Sequence, residues 1–299
     1  MLYRLQYAPL AVLVRFIGVL PRPVARGFGI LIGRLAYYLH PRLRRVGMRN
    51  LQLAFPEESV RERRKILKGV YTSLGRLLAE FCLFPYYTAR NASQVAVYQG
   101  FENFDAAERR GLGVLLLTAH FGGWEVGSFF HSLQGHPLRI VVRPLDNPYA
   151  DALVTRYRTL HGNTLVCKQD FARGLLTAMR NNETVGILMD TNMTPPQGVF
   201  VPFFGTLACT ASGMARVALH TGAAVVPAFT IWDPELRKYR VEFDPALELV
   251  QTGDNEADAI ANTAMFNRVI EAYVRRYPEQ WLWVHRRWKT RPAGEPPIY

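Results

Sequence analysis

The first 56 residues contain no aspartate and no glutamate, and the first acidic residue of the chain is Glu57. The same stretch carries nine arginines and no lysine, in a chain whose formal net charge is +12. The arginines are interleaved with apolar runs and not with the polar residues of a nucleic-acid-binding arm. This lack of acidic residues therefore predicts contact with an anionic membrane surface and argues against a nucleic-acid partner.

The sequence also lacks an uninterrupted apolar run of 18 residues, because Arg15, the Pro21–Pro23 segment and Arg34 divide its apolar stretches. Helices that lie in the membrane interface, or one short tilted span, fit this pattern better than a simple spanning helix. A cleaved signal peptide is one alternative, but no small-residue cleavage site follows the first run. A buried helical hairpin with arginines reaching the solvent is another. We assign residues 1–50 to a membrane-associated helical segment.

Cysteine is scarce. Cys82, Cys167 and Cys209 are odd in number and widely spaced, without a CxxC pair. This usage favours reduced thiols in the cytoplasm. The seven histidines are scattered and show no spacing typical of metal ligands, so no metal site is predicted.

Residues 51–291 are predicted to form one α/β domain. It opens with a helix over Glu57–Phe84, in which Ser59 can cap the first turn. Short β-rich runs follow at Gly113–Thr118, Arg139–Val142, Thr164–Val166, Val185–Met189, Ala224–Ile231 and Tyr239–Phe243. Helical patterns lie between or after them at Glu125–Leu133, Ala150–His161, Phe171–Asn181, Ala211–His220 and Ala257–Tyr277. Such alternation predicts a largely parallel central sheet flanked by helices. Residues 292–299 are predicted to form a loose, proline-rich tail.

The most informative stretch surrounds His120. This histidine follows an apolar strand, Gly122 and Gly123 permit a sharp turn, and Glu125 lies in the first turn of the next helix. A carboxylate there could orient one imidazole nitrogen and leave the other free to take a proton from a hydroxyl. The spacing alone fits both a catalytic pair and a structural histidine.

Further motifs accompany this one along the chain: Arg49–Pro56, Val142–Pro148, Gly198–Gly205 with Thr210, and Pro278–Lys289. Together with His120-Phe-Gly-Gly-Trp-Glu125 they resemble the late lipid A biosynthesis acyltransferase family, which is related to the glycerolipid acyltransferases. The resemblance spans almost the whole chain. One departure is Asp190-Thr191, where many members carry Asp-Gln, with Pro195-Pro196 nearby. It leaves the identity of the acceptor open.

The resemblance implies a glycerolipid acyltransferase-like fold and an O-acyltransferase with His120 as general base and Glu125 as its partner. It implies no cofactor. An acyl carrier protein or coenzyme A thioester is the expected donor, and a hydroxyl of a lipid A precursor or a related glycolipid is the expected acceptor. The expected location is the cytoplasmic face of a bacterial inner membrane.

Five further residues are predicted to bind substrate: Arg143, Asn147, Asp190, Phe203 and Phe204. Arg143 suits a phosphate or a developing oxyanion, or is a surface arginine at a strand end. Asp190 ends an apolar strand, where it orients Arg143 or a substrate hydroxyl, or caps a helix or a turn. Phe203 and Phe204 belong to an acyl groove or to the core.

Trp281, Trp283 and Trp288 lie among basic residues, which suggests an interfacial belt or ordinary surface packing.

For the whole chain, two other functions remain open. One is an acyltransferase for a different membrane lipid, such as a phosphatidylinositol mannoside or a lysophospholipid. The other is a non-catalytic lipid-binding protein.

Overall fold

The apolar runs of the sequence form the central sheet of the protein, which we describe from a computed structural model covering residues 2–167 and 171–299. The helices of this described part are α1 (Leu2–Gly18), α2 (Arg22–Leu39), α3 (Pro41–Ala54), α4 (Val60–Leu83), α5 (Phe101–Glu108), α6 (Trp124–Leu133), α7 (Pro148–Arg158), α8 (Phe171–Arg180), α9 (Gly213–Thr221) and α10 (Asn255–Arg276). The strands are β1 (Ala96–Gln99), β2 (Val114–Thr118), β3 (Leu138–Val142), β4 (Thr164–Cys167), β5 (Thr184–Leu188), β6 (Gly198–Phe203), β7 (Thr206–Ala211), β8 (Ala224–Asp233) and β9 (Lys238–Phe243).

Seven of these strands form one sheet in the order β1-β9-β8-β2-β5-β3-β4 within the described residues. Every neighbouring pair is parallel except β8 and β9. The predicted, largely parallel sheet is therefore confirmed, and so are its six predicted strands. Successive residues of β2 face opposite sides: Leu115 and Leu117 join one apolar cluster, and Val114 and Leu116 join the other. Helices cover both faces, which explains the uninterrupted apolar runs.

A separate hairpin, β6–β7, was not predicted. Its turn consists of Phe204 and Gly205, both with positive φ (49° and 72°). Two-residue hairpin turns with positive φ usually contain asparagine, aspartate or glycine, so a phenylalanine gave no turn signal. The hairpin extends to Ala211, and the predicted helix at Ala211–His220 therefore begins two residues late, at Gly213.

The predicted helix at Glu57–Phe84 is α4, and the side chain of Ser59 accepts a hydrogen bond from the backbone N–H of Glu62 (3.1 Å). Helix α2 packs closely on it. A Cβ atom added to Gly29 would lie 2.3 Å from the carbonyl oxygen of Gly75, and one added to Gly33 would lie 2.0 Å from that of Tyr71. The N-terminal helices are thus packed directly on the rest of the chain.

Both α1 and α2 expose an apolar stripe. Leu5, Val12 and Phe16 on α1 with Val19 directly after it, and Val24, Leu31, Leu35 and Leu39 on α2, are each about half exposed or more. Within each set, the successive residues are seven, then four, then three or four positions apart. Such spacings place each set along one side of its helix. In the described part of the chain, no helix has the length and apolarity needed to cross a bilayer.

Candidate active site

Two strand ends bring His120 and Asp190 together. Strands β2 and β5 are parallel neighbours, with Thr118 paired to Leu188. His120 lies two residues beyond Thr118, and Asp190 lies two residues beyond Leu188. Because parallel strands end at the same edge of a sheet, residues 70 positions apart in sequence become neighbours.

The carboxylate of Asp190 fixes the imidazole of His120. The Nδ1 atom of His120 is 2.9 Å from Oδ1 of Asp190, and the backbone N–H of His120 donates to Oδ2 (2.9 Å). Oδ2 also accepts from the indole Nε1–H of Trp281 (2.8 Å). An ionised carboxylate only accepts hydrogen bonds, so Nδ1 carries the proton and Nε2 keeps its lone pair. The imidazole remains 23% exposed while Asp190 is 3% exposed.

Electrostatics favour the charged forms of both groups. Burial disfavours the imidazolium, but the charge and hydrogen bond of Asp190, aided by the charge of Glu125, raise the pKa of His120 above its ordinary value of 6.5. Burial likewise disfavours the carboxylate of Asp190, yet its bonds with His120 and Trp281 lower the pKa of Asp190. The arrangement stabilises an imidazolium formed when Nε2 accepts a proton.

The expectation that Glu125 orients the imidazole is wrong. Glu125 lies in the first turn of α6 as predicted, but its two carboxylate oxygens accept bonds from Arg158, one of them from Nε at 2.9 Å. Arg158 offers a planar fork that matches a carboxylate, and the Nδ1 atom of His120 is already occupied by Asp190. Asp190 accordingly orients the histidine, and it contacts neither Arg143 nor a turn that it would cap.

The turn after His120 requires glycine, as predicted. Gly122 has a φ of +56°, and a Cβ atom there would lie 2.0 Å from the carbonyl oxygen of Thr230. Its N–H donates to the carbonyl oxygen of Gln280 (2.7 Å), and that of Gly123 donates to Thr230 (2.8 Å). These bonds fix the loop between β8 and the C-terminal segment.

The C-terminal segment also supports the site. The backbone N–H of Leu282 donates to the carbonyl oxygen of His120 (3.1 Å). Asn50 of α3 is fully buried and donates to the carbonyl oxygens of Trp283 (2.6 Å) and His285 (2.7 Å). The N-terminal and C-terminal motifs therefore contact each other behind the histidine.

The predicted interfacial belt of tryptophans is wrong. Trp281 is 1% exposed, and Trp283 and Trp288 are fully buried. Their rings pack against Phe55, Phe203 and Phe204. Neighbouring basic residues suggested a surface, but the indoles point into the core while Arg286 and Lys289 lie outside it.

Arg287 is a site residue that sequence reasoning missed, because no local signal distinguishes it from its basic neighbours. It is fully buried, and its guanidinium donates to the carbonyl oxygens of Thr191 (3.3 Å) and Cys209 (3.0 Å) and to the hydroxyl of Thr210. Burial lowers the pKa of Arg287 to about 10, although the nearby charge of Asp190 opposes this. The guanidinium connects the loop after β5 with the β6–β7 hairpin.

The remaining predicted residues occupy different environments. Arg143 follows β3, is largely exposed and lies 3.5 Å from Asp146. Asn147 caps α7, accepting from the N–H groups of Tyr149 and Ala150. Phe203 and Phe204 are 0% and 6% exposed, which places both side chains in the core.

A cavity of about 600 Å³ lies beside the loop that follows Asp190, with Asn192 of that loop in its lining. Its polar lining consists of Arg42, Arg143, Asn192, His285, Arg286 and Lys289. Asn192 lies two residues beyond Asp190, and its N–H donates to Nε2 of His285 (3.1 Å). Arg143 thus lines a strongly basic space that extends to Asn192 and His285.

Comparisons with known proteins agree with the sequence resemblance. The family model described as bacterial lipid A biosynthesis acyltransferase matches residues 3–290. The chain is 32% identical over 286 residues to the lipid A biosynthesis lauroyltransferase of Escherichia coli (strain K12), which covers 94% of this chain and 90% of that relative. It is 30% identical over 281 residues to the palmitoleoyltransferase of the same pathway and strain, with coverages of 94% and 90%. A myristoyltransferase from that strain is 25% identical over 264 residues, with coverages of 88% and 80%. The chain therefore belongs to the bacterial lipid A biosynthesis acyltransferase family and is an enzyme that transfers acyl groups.

Proposed function

We propose that this enzyme transfers a fatty acyl chain from a thioester to a hydroxyl of a lipid A precursor, with His120 as the general base. The observation that carries the proposal is the hydrogen bond from Nδ1–H of His120 to Asp190, which leaves the lone pair of Nε2 to accept a proton at a partly exposed position. Proton removal by a positioned histidine is the requirement for turning a hydroxyl into a nucleophile.

His120 alone can then carry out both proton transfers of the reaction. Nε2 takes the hydroxyl proton as the oxygen attacks the thioester carbonyl carbon. The carbon–sulfur bond breaks, and the imidazolium returns the proton to the leaving thiolate. Asp190 stabilises the imidazolium between these two steps.

A thioester is already activated, so no enzyme nucleophile is required. The buried thiols support direct transfer. Burial raises the pKa of Cys82 to about 12 and also raises that of Cys209, which disfavours the reactive thiolate in both.

Glu125 retains a catalytic role in this proposal, through a different contact. Held by Arg158, its carboxylate adds a second negative charge near His120 and favours the imidazolium. Arg158 in turn holds this carboxylate in position through two hydrogen bonds.

Of the other predicted residues, Arg143 contacts the substrate and three support the site from behind. Arg143 contacts an anionic group of the substrate from the basic cavity. Asn147 caps the helix that presents Arg158, and Phe203 packs on the ring of Trp281, the donor to Asp190. Phe204 packs on Trp283. These three position the site without touching substrate.

The enzyme is proposed to work on the cytoplasmic face of the bacterial inner membrane, with an acyl carrier protein or coenzyme A thioester as donor. The apolar stripes of α1 and α2, together with the exposed Arg4, Arg15 and Arg34, support this placement. Apolar residues enter the lipid while the arginines remain near anionic headgroups.

The test uses purified enzyme in detergent with labelled acyl carrier protein and coenzyme A thioesters. A lipid A precursor, a lysophospholipid and a phosphatidylinositol mannoside are offered as acceptors, and the products are analysed by mass spectrometry. We expect one added ester-linked acyl chain on the lipid A precursor. Acylation confined to either other lipid, or no transfer from either donor, would overturn the proposal.

A further inference from the structure

The basic cavity beside the site gathers positive charge from three separate parts of the chain. Arg42 comes from α3, Arg143 follows β3, and Arg286 and Lys289 belong to the C-terminal segment. Basic residues that are merely solvated spread over a surface, whereas these four surround one space. Their convergence depends on the tertiary fold.

These cations have little negative charge to balance them. Among the described residues, Asp146 is the one carboxylate within ion-pair distance of the four, and it lies 3.5 Å from Arg143 with both side chains largely exposed. An exposed pair of this kind contributes little. Like charges around an open, shallow cavity produce a local positive potential, which attracts an anion.

We propose that this cavity binds an oxyanion group, a phosphate or a sugar carboxylate, of the acceptor headgroup. The inference rests on the proposed function and identifies the part of the acceptor that is recognised. Arginine forks match both oxyanions in geometry, and lysine adds a point charge. A volume of about 600 Å³ exceeds the size of a single ion and suits a charged sugar unit.

The position of the cavity relates binding to catalysis. Asn192 and His285 join its wall to the loop that carries Asp190, and burial together with the charge of His120 lowers the pKa of His285. An anion held here would place a neighbouring hydroxyl of the same headgroup toward Nε2 of His120. Binding at a distance from the reacting oxygen would thereby orient it.

The surroundings favour the acceptor over the donor as the source of the anion. Leu43, which is 42% exposed, lines the same cavity, and α3 directly follows α2 with its exposed Leu35 and Leu39. The opening thus lies beside the apolar surface proposed to meet the membrane. A glycolipid anchored in that membrane presents its headgroup at this level, whereas a soluble carrier protein approaches from the aqueous side.

The test compares two triple variants. One is Arg42→Gln with Arg286→Gln and Lys289→Gln. The matched control is Arg61→Gln with Arg64→Gln and Lys65→Gln on α4, all exposed, which removes the same number and types of charge. KM and kcat are measured for a lipid A precursor and for each thioester donor. We expect the cavity variant to raise the acceptor KM at least about tenfold, since each lost charge-assisted bond is worth more than about 1.4 kcal/mol, while the donor KM stays constant.

Altered acceptors identify the oxyanion. The same precursor is assayed after phosphatase treatment, and separately without its acidic sugars. Wild type should lose affinity for the form that lacks the recognised group, and the cavity variant should no longer distinguish that form from the intact precursor. The proposal is overturned if wild type is indifferent to both losses, if the control variant matches the cavity variant, or if the donor KM rises in place of the acceptor KM. Absence of transfer by wild type to every acceptor would instead refute the proposed function.

Discussion

Asp190 is the residue whose contacts define the site, because three donors converge on its buried carboxylate. We predict that Asp190→Asn lowers kcat about 10²–10⁴-fold, since an amide can leave the wrong imidazole nitrogen protonated and no longer stabilises the imidazolium. The rate should be followed from about pH 5 to about pH 9, across the range in which a histidine titrates.

The direction of the pH effect follows from the raised pKa of His120. The base acts when neutral, so activity falls as the pH drops through that pKa, and the acidic limb of wild type should lie above 6.5. Removing the negative charge of Asp190 lowers the pKa, so residual activity in Asp190→Asn should persist to lower pH. An acidic limb that does not move would show that Asp190 does not act on this histidine.

The pair of Glu125 and Arg158 calls for a double-mutant cycle. We predict that Glu125→Gln and Arg158→Met each reduce kcat about tenfold or more, and that the double variant is no worse than the poorer single one. Glu125→Gln removes the carboxylate charge near His120, and Arg158→Met leaves that carboxylate without the guanidinium that fixes its position. Losses that multiply would mean that the two residues act independently.

Part of this residue-level picture could be predicted from the sequence. His120 and Asp190 each follow an apolar run, so both could be placed at the sheet edge. The partner of the histidine could not, because it depends on the lateral order of strands, and β5 is next to β2. Arg158 carries no local signal, since α7 brings it to Glu125 from 33 residues away.

At the scale of elements, the contact between α2 and α4 depends on missing side chains. We predict that Gly33→Ala destabilises the protein by about 1–3 kcal/mol, because its Cβ would lie 2.0 Å from a backbone oxygen of α4 and the helices must separate. Gly27→Ala on the same helix is the control. No atom lies within 4 Å of its added Cβ, so the gain in helix propensity should stabilise by about 0.5–1 kcal/mol. Denaturant unfolding of both variants checks this, and equal effects would contradict the packing argument.

Periodicity predicted elements where one pattern dominated, as in β2 and α4. It failed where local composition conflicted with the tertiary environment. The hairpin turn at Phe204 has no usual turn residue, and the C-terminal tryptophans are buried beside basic residues that indicated a surface. Phe204 packs on Phe55 and Trp283, and the tryptophans pack on Phe55 and Phe203, so both depend on contacts that are far away in sequence.

At the scale of the whole molecule, the exposed stripes of α1 and α2 should determine membrane attachment. Deleting the first helices would uncover α4, so substitutions are the better test. We predict that Val12→Ser, Val19→Ser, Leu35→Ser and Leu39→Ser together weaken binding to anionic vesicles at least about tenfold, because each removes apolar area that enters the lipid.

The matched control replaces four other exposed aliphatic residues with serine: Leu112, Leu160, Leu236 and Val250. It should bind vesicles as wild type does, in a sedimentation assay at low and high salt. High salt should weaken wild-type binding in part, because it screens the arginines but not the apolar contacts. Equal loss in both variants would show that general surface apolarity, and not these stripes, is responsible.

The central claim is that His120 removes the proton from the acceptor hydroxyl, and the direct measurement is the acyl-transfer rate of His120→Ala beside His220→Ala. His220 is exposed at the end of α9 and serves as the control. With unfolding transitions like that of wild type, His120→Ala should lose about 10²–10⁴-fold in kcat and His220→Ala should keep its full rate. A folded His120→Ala enzyme that transfers at the wild-type rate, or equal losses in the two variants, would contradict the claim.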